Sequence, residues 1–211
     1  MKKAIILLLT LVLTILPVLS VSAESNAQEL DSQAIAERFD EINSKYELNE
    51  KFSEEDAEFV KKYAIPAQPS QSSQSEVSIN SFWDGNTKFT LAGYGKVGQN
   101  SYVKTVGFIE VQLGLVSGNM NFSMTSNDVN KIYHSTFTNE VKIAAYGVVG
   151  SDGIGLTLDR TYTNTLNNAN YNKYLDTDSY LANMAYYQVS ASVKVKDTGL
   201  TTFVPITMTK E

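Results

Sequence analysis

Cysteine is missing from all 211 residues, which removes disulfide staples, thiolate metal ligands, a cysteine nucleophile and a lipid-bearing cysteine together. Stability must come from packed apolar side chains. Histidine occurs once, at His134, so a zinc centre of several imidazoles is excluded, and Ser-His-Asp chemistry would have to pass through that single residue. No Gly-x-Ser-x-Gly elbow accompanies it. Basic runs are missing too: the formal net charge is −6, and no cluster of Lys and Arg is available to release counterions from a phosphate backbone. Nucleic acid is therefore not an expected partner, and docking to an anionic membrane by charge alone is disfavoured.

Glycine is unevenly withheld, since none occurs before Gly85 although the chain has twelve. Turns and bulges are expected beyond that point and helices before it. Acidity is split the same way. Residues 24–64 hold twelve Asp or Glu against five Lys or Arg, a net of −7, whereas residues 65–211 hold eleven against ten, a net of −1.

The start of the chain carries an export pattern: the positive Met1-Lys2-Lys3, an apolar run from Ala4 to Leu19 interrupted by Pro17, and the small residues Val21-Ser22-Ala23. The run is short for a membrane span, so residues 1–23 are expected to be a cleaved signal peptide and the product to be secreted and extracellular. Export without cysteine resembles the habit of Gram-positive bacterial secreted proteins.

Residues 24–64 are expected to be an acidic helical leader or pro-region. Ile35, Phe39, Ile42 and Tyr46 follow helical spacing and predict a helix over 32–46. Ser53-Glu54-Glu55-Asp56 predicts a second N-terminus, with Ser53 as cap, Asp56 reaching back in a variant capping box, and Phe52 as a staple. Ala57, Val60 and Tyr63 supply its weaker stripe. Residues 65–76, with Pro66, Pro69 and a Ser/Gln tract, read as a linker open to proteases.

From Val77 the period becomes two, predicting a mainly β domain over 77–211: an antiparallel β-sandwich of about seven to nine strands. Ile109, Val111 and Leu113 lead to a turn expected at Ser117-Gly118, and Met120, Phe122 and Met124 return from it. Val141 to Val149 and Ile154 to Leu158 form a second hairpin around Asp152-Gly153. Val189, Ala191, Val193 and Val195 alternate with Ser and Lys. Val204, Ile206 and Met208 read as one last strand around Pro205, which lacks an N–H and so suits a sheet edge. Tyr-Gly-x-Val-Gly occurs at Tyr94 and again at Tyr146, a coincidence of strand and turn chemistry.

No catalytic, metal or cofactor residues emerge. His134 is expected to be a half-exposed strand residue. Asp176-Thr177-Asp178 is expected to be an acidic turn that needs no cation, and Trp83 a core or sheet-end anchor. The segment from Thr161 to Tyr187 stands out, because tyrosines interleave with asparagines there. Tyrosine offers broad contact area at low entropy cost and Asn both donor and acceptor, so Tyr162, Tyr171, Tyr174 and Tyr180 are the candidate ligand-binding residues. The competing expectation is that these tyrosines pack on the sheet. The expected function is a non-enzymatic, secreted β-sandwich that binds a cell-surface, glycan or protein partner without a cofactor. The alternative is a membrane-active or antibacterial protein held inactive by a cleavable acidic pro-region.

Overall fold

The computed structural model describes residues 31–67, 85–113 and 117–211. The export segment, the Ser/Gln tract after Gln68, and the expected strand at Val77 to Trp83 lie outside the described residues.

Helix α1 spans Ser32–Lys45 and α2 spans Glu54–Tyr63. The apolar stripes face inward as spaced, burying Phe39 and Ile42 from α1 and Val60 from α2. Ser53 caps α2 by accepting from the Asp56 amide at 3.3 Å. The expected return of Asp56 to the cap backbone does not form, and the Ser53 amide donates to the Tyr46 hydroxyl at 3.0 Å instead. Stronger partners claim the Asp56 carboxylate: Arg38, Lys45 Nζ at 2.8 Å, the Tyr46 hydroxyl at 2.7 Å and Ser53 Oγ at 2.9 Å. Burial pushes its pKa up, but these contacts outweigh it and hold the carboxyl at about 2.

Ten strands follow among the described residues: β1 (Ile65–Pro66), β2 (Gly85–Gly98), β3 (Ser101–Leu113), β4 (Ser117–Asp128), β5 (His134–Val149), β6 (Gly153–Ala169), β7 (Tyr171–Leu181), β8 (Tyr186–Asp197), β9 (Leu200–Val204) and β10 (Ile206–Lys210). They build two antiparallel sheets packed as a β-sandwich. Sheet A runs β1-β8-β5-β6, with β9 also on β8, and sheet B runs β10-β2-β3-β4-β7. Alternation produces this directly, because each strand turns its apolar set to one side. Leu91, Ile109, Met120, Phe122 and Met124 of sheet B meet Phe137, Val141, Ile143, Tyr187, Val193 and Val195 of sheet A in a closed core.

Three local expectations are corrected. Ser117 and Gly118 are not a turn but strand residues paired with Leu181 and Tyr180, and the chain between Leu113 and Ser117 lies outside the described residues. Asp176 to Asp178 sits in mid β7 opposite Phe122 to Met120, because the aspartates satisfy tyrosine and arginine partners across the sandwich side. The last strand is two strands. Pro205 stands between β9 of sheet A and β10 of sheet B, where a residue without an N–H lets the chain change sheets without orphaning a donor.

The helices lie on the outside of sheet A. Phe39, Ile42, Phe52, Val60 and Ala64 form a second core with Ala144, Tyr146 and Leu156. A bulge in β6 at Thr157 makes this possible: Ala145 pairs with Leu158 and Tyr146 with Leu156, so Leu156 is re-aimed from the sandwich interior toward the helices. Backbone ties join arm and sheet, from the Asn49 amide to Leu156 O at 2.7 Å and from the Phe52 amide to Ile154 O at 2.9 Å. Gly155 is required beneath them, because a Cβ there would lie 2.1 Å from the Glu50 carbonyl oxygen.

Candidate functional site

The four candidate tyrosines take up three different positions. Tyr180 is 2% exposed, and its hydroxyl donates to Gln112 O at 3.2 Å. Tyr162 and Tyr174 are half-buried and flank Phe122, with ring centroids 5.5 and 5.0 Å away. The Tyr162 hydroxyl donates to Asp178 at 2.6 Å; burial, then that carboxylate, push its pKa up to about 12. Asp178 is held low in turn by the Tyr162 hydroxyl and by Arg160. Tyr171 alone of the four is well exposed, at 48%.

Of the neighbouring asparagines, Asn172 is buried inside the sandwich, whereas Asn167, Asn168 and Asn183 are exposed. The chain steps from sheet A to sheet B at Asn170, and amide side chains bridge the side where the sheets part. Asn172 Nδ2 donates to Phe137 O at 2.7 Å and Asn164 O at 2.8 Å, while Asn139 Nδ2 donates to Asn172 O at 3.0 Å. These amide bonds tie β5 and β6 of sheet A to β7 of sheet B.

Tyr171 belongs to a different group, assembled by register on the outer face of sheet B. Tyr94 pairs with Lys104, Lys104 with Asn127, and Asn127 with Tyr171, in one row across four strands. In the next row Lys96 pairs with Tyr102, whose ring stacks on Tyr94 at 5.8 Å and 15°. Thr125 pairs with Lys173 beyond. The hydroxyls of Tyr46, Tyr146, Tyr162, Tyr174 and Tyr180 all bond within the protein. Those of Tyr94, Tyr102 and Tyr171 bond to nothing among the described residues. Val106, Leu175 and Leu181 add exposed apolar surface to the same face, and neither helix among the described residues covers it.

Directly behind this platform lies His134, which is not half-exposed but 1% exposed. Four strand ends converge there: Ser101 opens β3, Asp128 closes β4, His134 opens β5 and Asp197 closes β8. His134 Nδ1 is 2.6 Å from Asp197 Oδ2, and Nε2 is 3.4 Å from both Asp128 Oδ2 and Ser101 Oγ. Asp197, His134 and Ser101 thus have triad connectivity, beside a groove of about 280 Å³ that they line with Thr198, Leu200 and Thr202. The hydroxyl proton is directed elsewhere, however, because Ser101 Oγ donates to Asp128 at 2.6 Å. Such a serine is not poised to pass its proton to Nε2.

The carboxylates also tie backbone. Asp128 Oδ1 accepts from the amides of Asn130 at 2.8 Å and Ile132 at 3.0 Å, and Asp197 Oδ1 accepts from Ser135 at 2.9 Å. Burial raises the pKa of each, but Ser101 with two amides at Asp128, and His134 with the Ser135 amide at Asp197, hold both below the usual carboxylate range. The cluster is a latch joining both sheets. It also positions the platform: the Val129 amide bonds Tyr102 O and the Asp128 amide bonds Asn170 O, each at 2.8 Å.

No protein-family model, curated protein or solved structure significantly matches this chain. Of these three tyrosines the sequence pointed only to Tyr171, because Tyr94 and Tyr102 come beside it only through strand register. The available signal was the shared outward parity of these residues on their strands.

Proposed function

We propose that this chain is an exported, non-enzymatic β-sandwich that binds a cell-surface partner through the outer face of sheet B. One observation carries the reading: the helices cover the apolar patch at the β5–β6 end of sheet A, whereas among the described residues nothing covers the face of sheet B that holds three tyrosines with unengaged hydroxyls. Exposed aromatic rings with free polar tips suit contact surfaces, since they give area and hydrogen bonding with few rotors to freeze. The expected test result is that Tyr94→Ser combined with Tyr171→Ser abolishes retention of the protein on cells while leaving its melting temperature unchanged. Undiminished retention sinks the reading. A serine-directed fluorophosphonate probe is expected to leave Ser101 unlabelled, and labelling lost in His134→Ala would make the protein a hydrolase instead.

A second reading, membrane activity held in check by the helical arm, is supported by the apolar patch of Ala144, Tyr146, Ile154, Leu156 and Tyr186 beneath the helices. It requires the arm to be removed. Mass spectrometry of the extracellular protein decides: a mature N-terminus beyond residue 67 favours this reading, and one near Glu24 excludes it.

A further inference from the structure

We infer that the occupant of the sheet B platform is an anionic polysaccharide, one whose sugars carry carboxylate or phosphate groups; this rests on the binding role proposed above. The charge on this face differs from that of the chain. The whole sequence has a net of −6, but the outward positions of sheet B present Lys88, Lys96, Lys104 and Lys173 against two acids, Glu110 and the Glu211 that follows β10. Elsewhere five lysines are held by acids, Lys45 by Asp56, Lys51 by Asp152, Lys61 by Glu58, Lys142 by Asp40 and Lys194 by Glu140, and Lys62, Lys131, Lys196 and Lys210 stand dispersed without an ion pair among the described residues. On this face Lys88 is paired with Glu211, whereas Lys96, Lys104 and Lys173 have no ion pair among the described residues.

The arrangement has a chemical meaning. Lys96 and Lys104 alternate with Tyr102 and Tyr94 in a checkerboard, so the register sets a lysine opposite each of these two tyrosines. Aromatic faces pack against the C–H faces of sugar rings, and unpaired ammoniums donate to the acid groups between them. Neutral side chains extend the surface in all directions: Asn127, Thr125, Ser123, Asn121, Thr90 and Thr207 supply short donors and acceptors. A pleated face has no depth to enclose a small molecule, but its repeat suits an extended chain that makes the same contact several times. Three unpaired charges confer affinity that salt screens.

The test is affinity electrophoresis of the full secreted protein in gels containing polygalacturonate, poly(glycerol phosphate) or dextran. Retardation is expected in one or both anionic polymers, the two arms telling carboxylate from phosphate recognition, and none in neutral dextran. Raising ionic strength about tenfold should remove it. A variant combining Lys96→Glu, Lys104→Glu and Lys173→Glu should weaken binding by about tenfold or more, whereas Lys196→Glu, on the other sheet, should not. Melting curves confirm that each variant is folded. Equal retardation in dextran, indifference to the triple variant, or equally tight binding of single-stranded DNA overturns the proposal. If Tyr94→Ser with Tyr171→Ser abolishes cell retention but the lysine variant does not, the anionic assignment fails and the binding role survives. If neither matters, both fail.

Discussion

The two outer faces of this sandwich are made by the same alternation yet meet opposite fates. On sheet A the outward residues near the β5–β6 hairpin are Ala144, Tyr146, Ile154 and Leu156, and the helical arm buries them. On sheet B they are Tyr, Lys, Asn, Ser and Thr with scattered aliphatics, and neither helix among the described residues covers them. An apolar face in water needs a cover, whereas a polar face with isolated rings is stable uncovered and remains open to a partner. The arm's interior is therefore a continuation of the fold rather than an appendage. Tyr146 illustrates this: it is fully buried between arm and sheet, stacks on Phe39 at 5.9 Å and donates to Asn43 at 3.1 Å, and burial raises its pKa.

Breaking the covered face should have the largest effect. Phe39→Ala empties the centre of the arm interface and is expected to cost about 3 to 5 kcal/mol in urea unfolding, with increased binding of a hydrophobic dye. Gly155→Val should act in the same direction, since its Cβ would displace the Glu50 carbonyl. Next comes the latch behind the bare face. His134→Ala leaves the buried Asp128 and the part-exposed Asp197 without their shared partner and is expected to cost about 2 kcal/mol, read as a lower melting temperature, and to weaken cell retention by loosening the strand ends beneath Tyr102 and Tyr171.

Acid should loosen the arm by a smaller amount. The Asp56 carboxyl is depressed in the folded state to about 2, so its contribution is complete above the unfolded carboxylate range and is lost as pH falls from about 4 toward 2. The shift corresponds to about 2 kcal/mol. Unfolding free energies measured across that window should show this loss in the natural sequence and a flatter profile in Asp56→Asn. The smallest stability effect belongs to the bare face: Tyr94→Ser with Tyr171→Ser should change unfolding free energy by no more than about 0.5 kcal/mol. A large loss there would mean that the platform is structural, and the contrast between the faces would disappear.

Legibility tracked the range of the interaction. The stripe of Ile35, Phe39 and Ile42, the Ser53 cap and the hairpin from Val141 to Leu158 were readable because their partners lie within a turn or a tight reversal. Of the four candidate tyrosines Tyr171 lies exposed, as a contact residue must, whereas Tyr162, Tyr174 and Tyr180 turn inward. Parity along β7 separates Tyr171 from Tyr174 and Tyr180, yet which parity faces the core depends on the partner strands. His134 was misjudged for a related reason. Its companions Ser101, Asp128 and Asp197 are scattered along the chain, and only the meeting of four strand ends makes a single histidine part of a buried network.

Composition and periodicity alone determined that the glycine-bearing part would be layered β structure and the acidic stretch helical, because hydrophobic period is a local property that each segment carries with it. Only the tertiary structure decided that the arm lies against sheet A, that the asparagines seal the side of the sandwich, and that three lysines without counter-ions surround a tyrosine platform. Register and sheet assignment bring distant residues within contact distance, and no single segment holds that information.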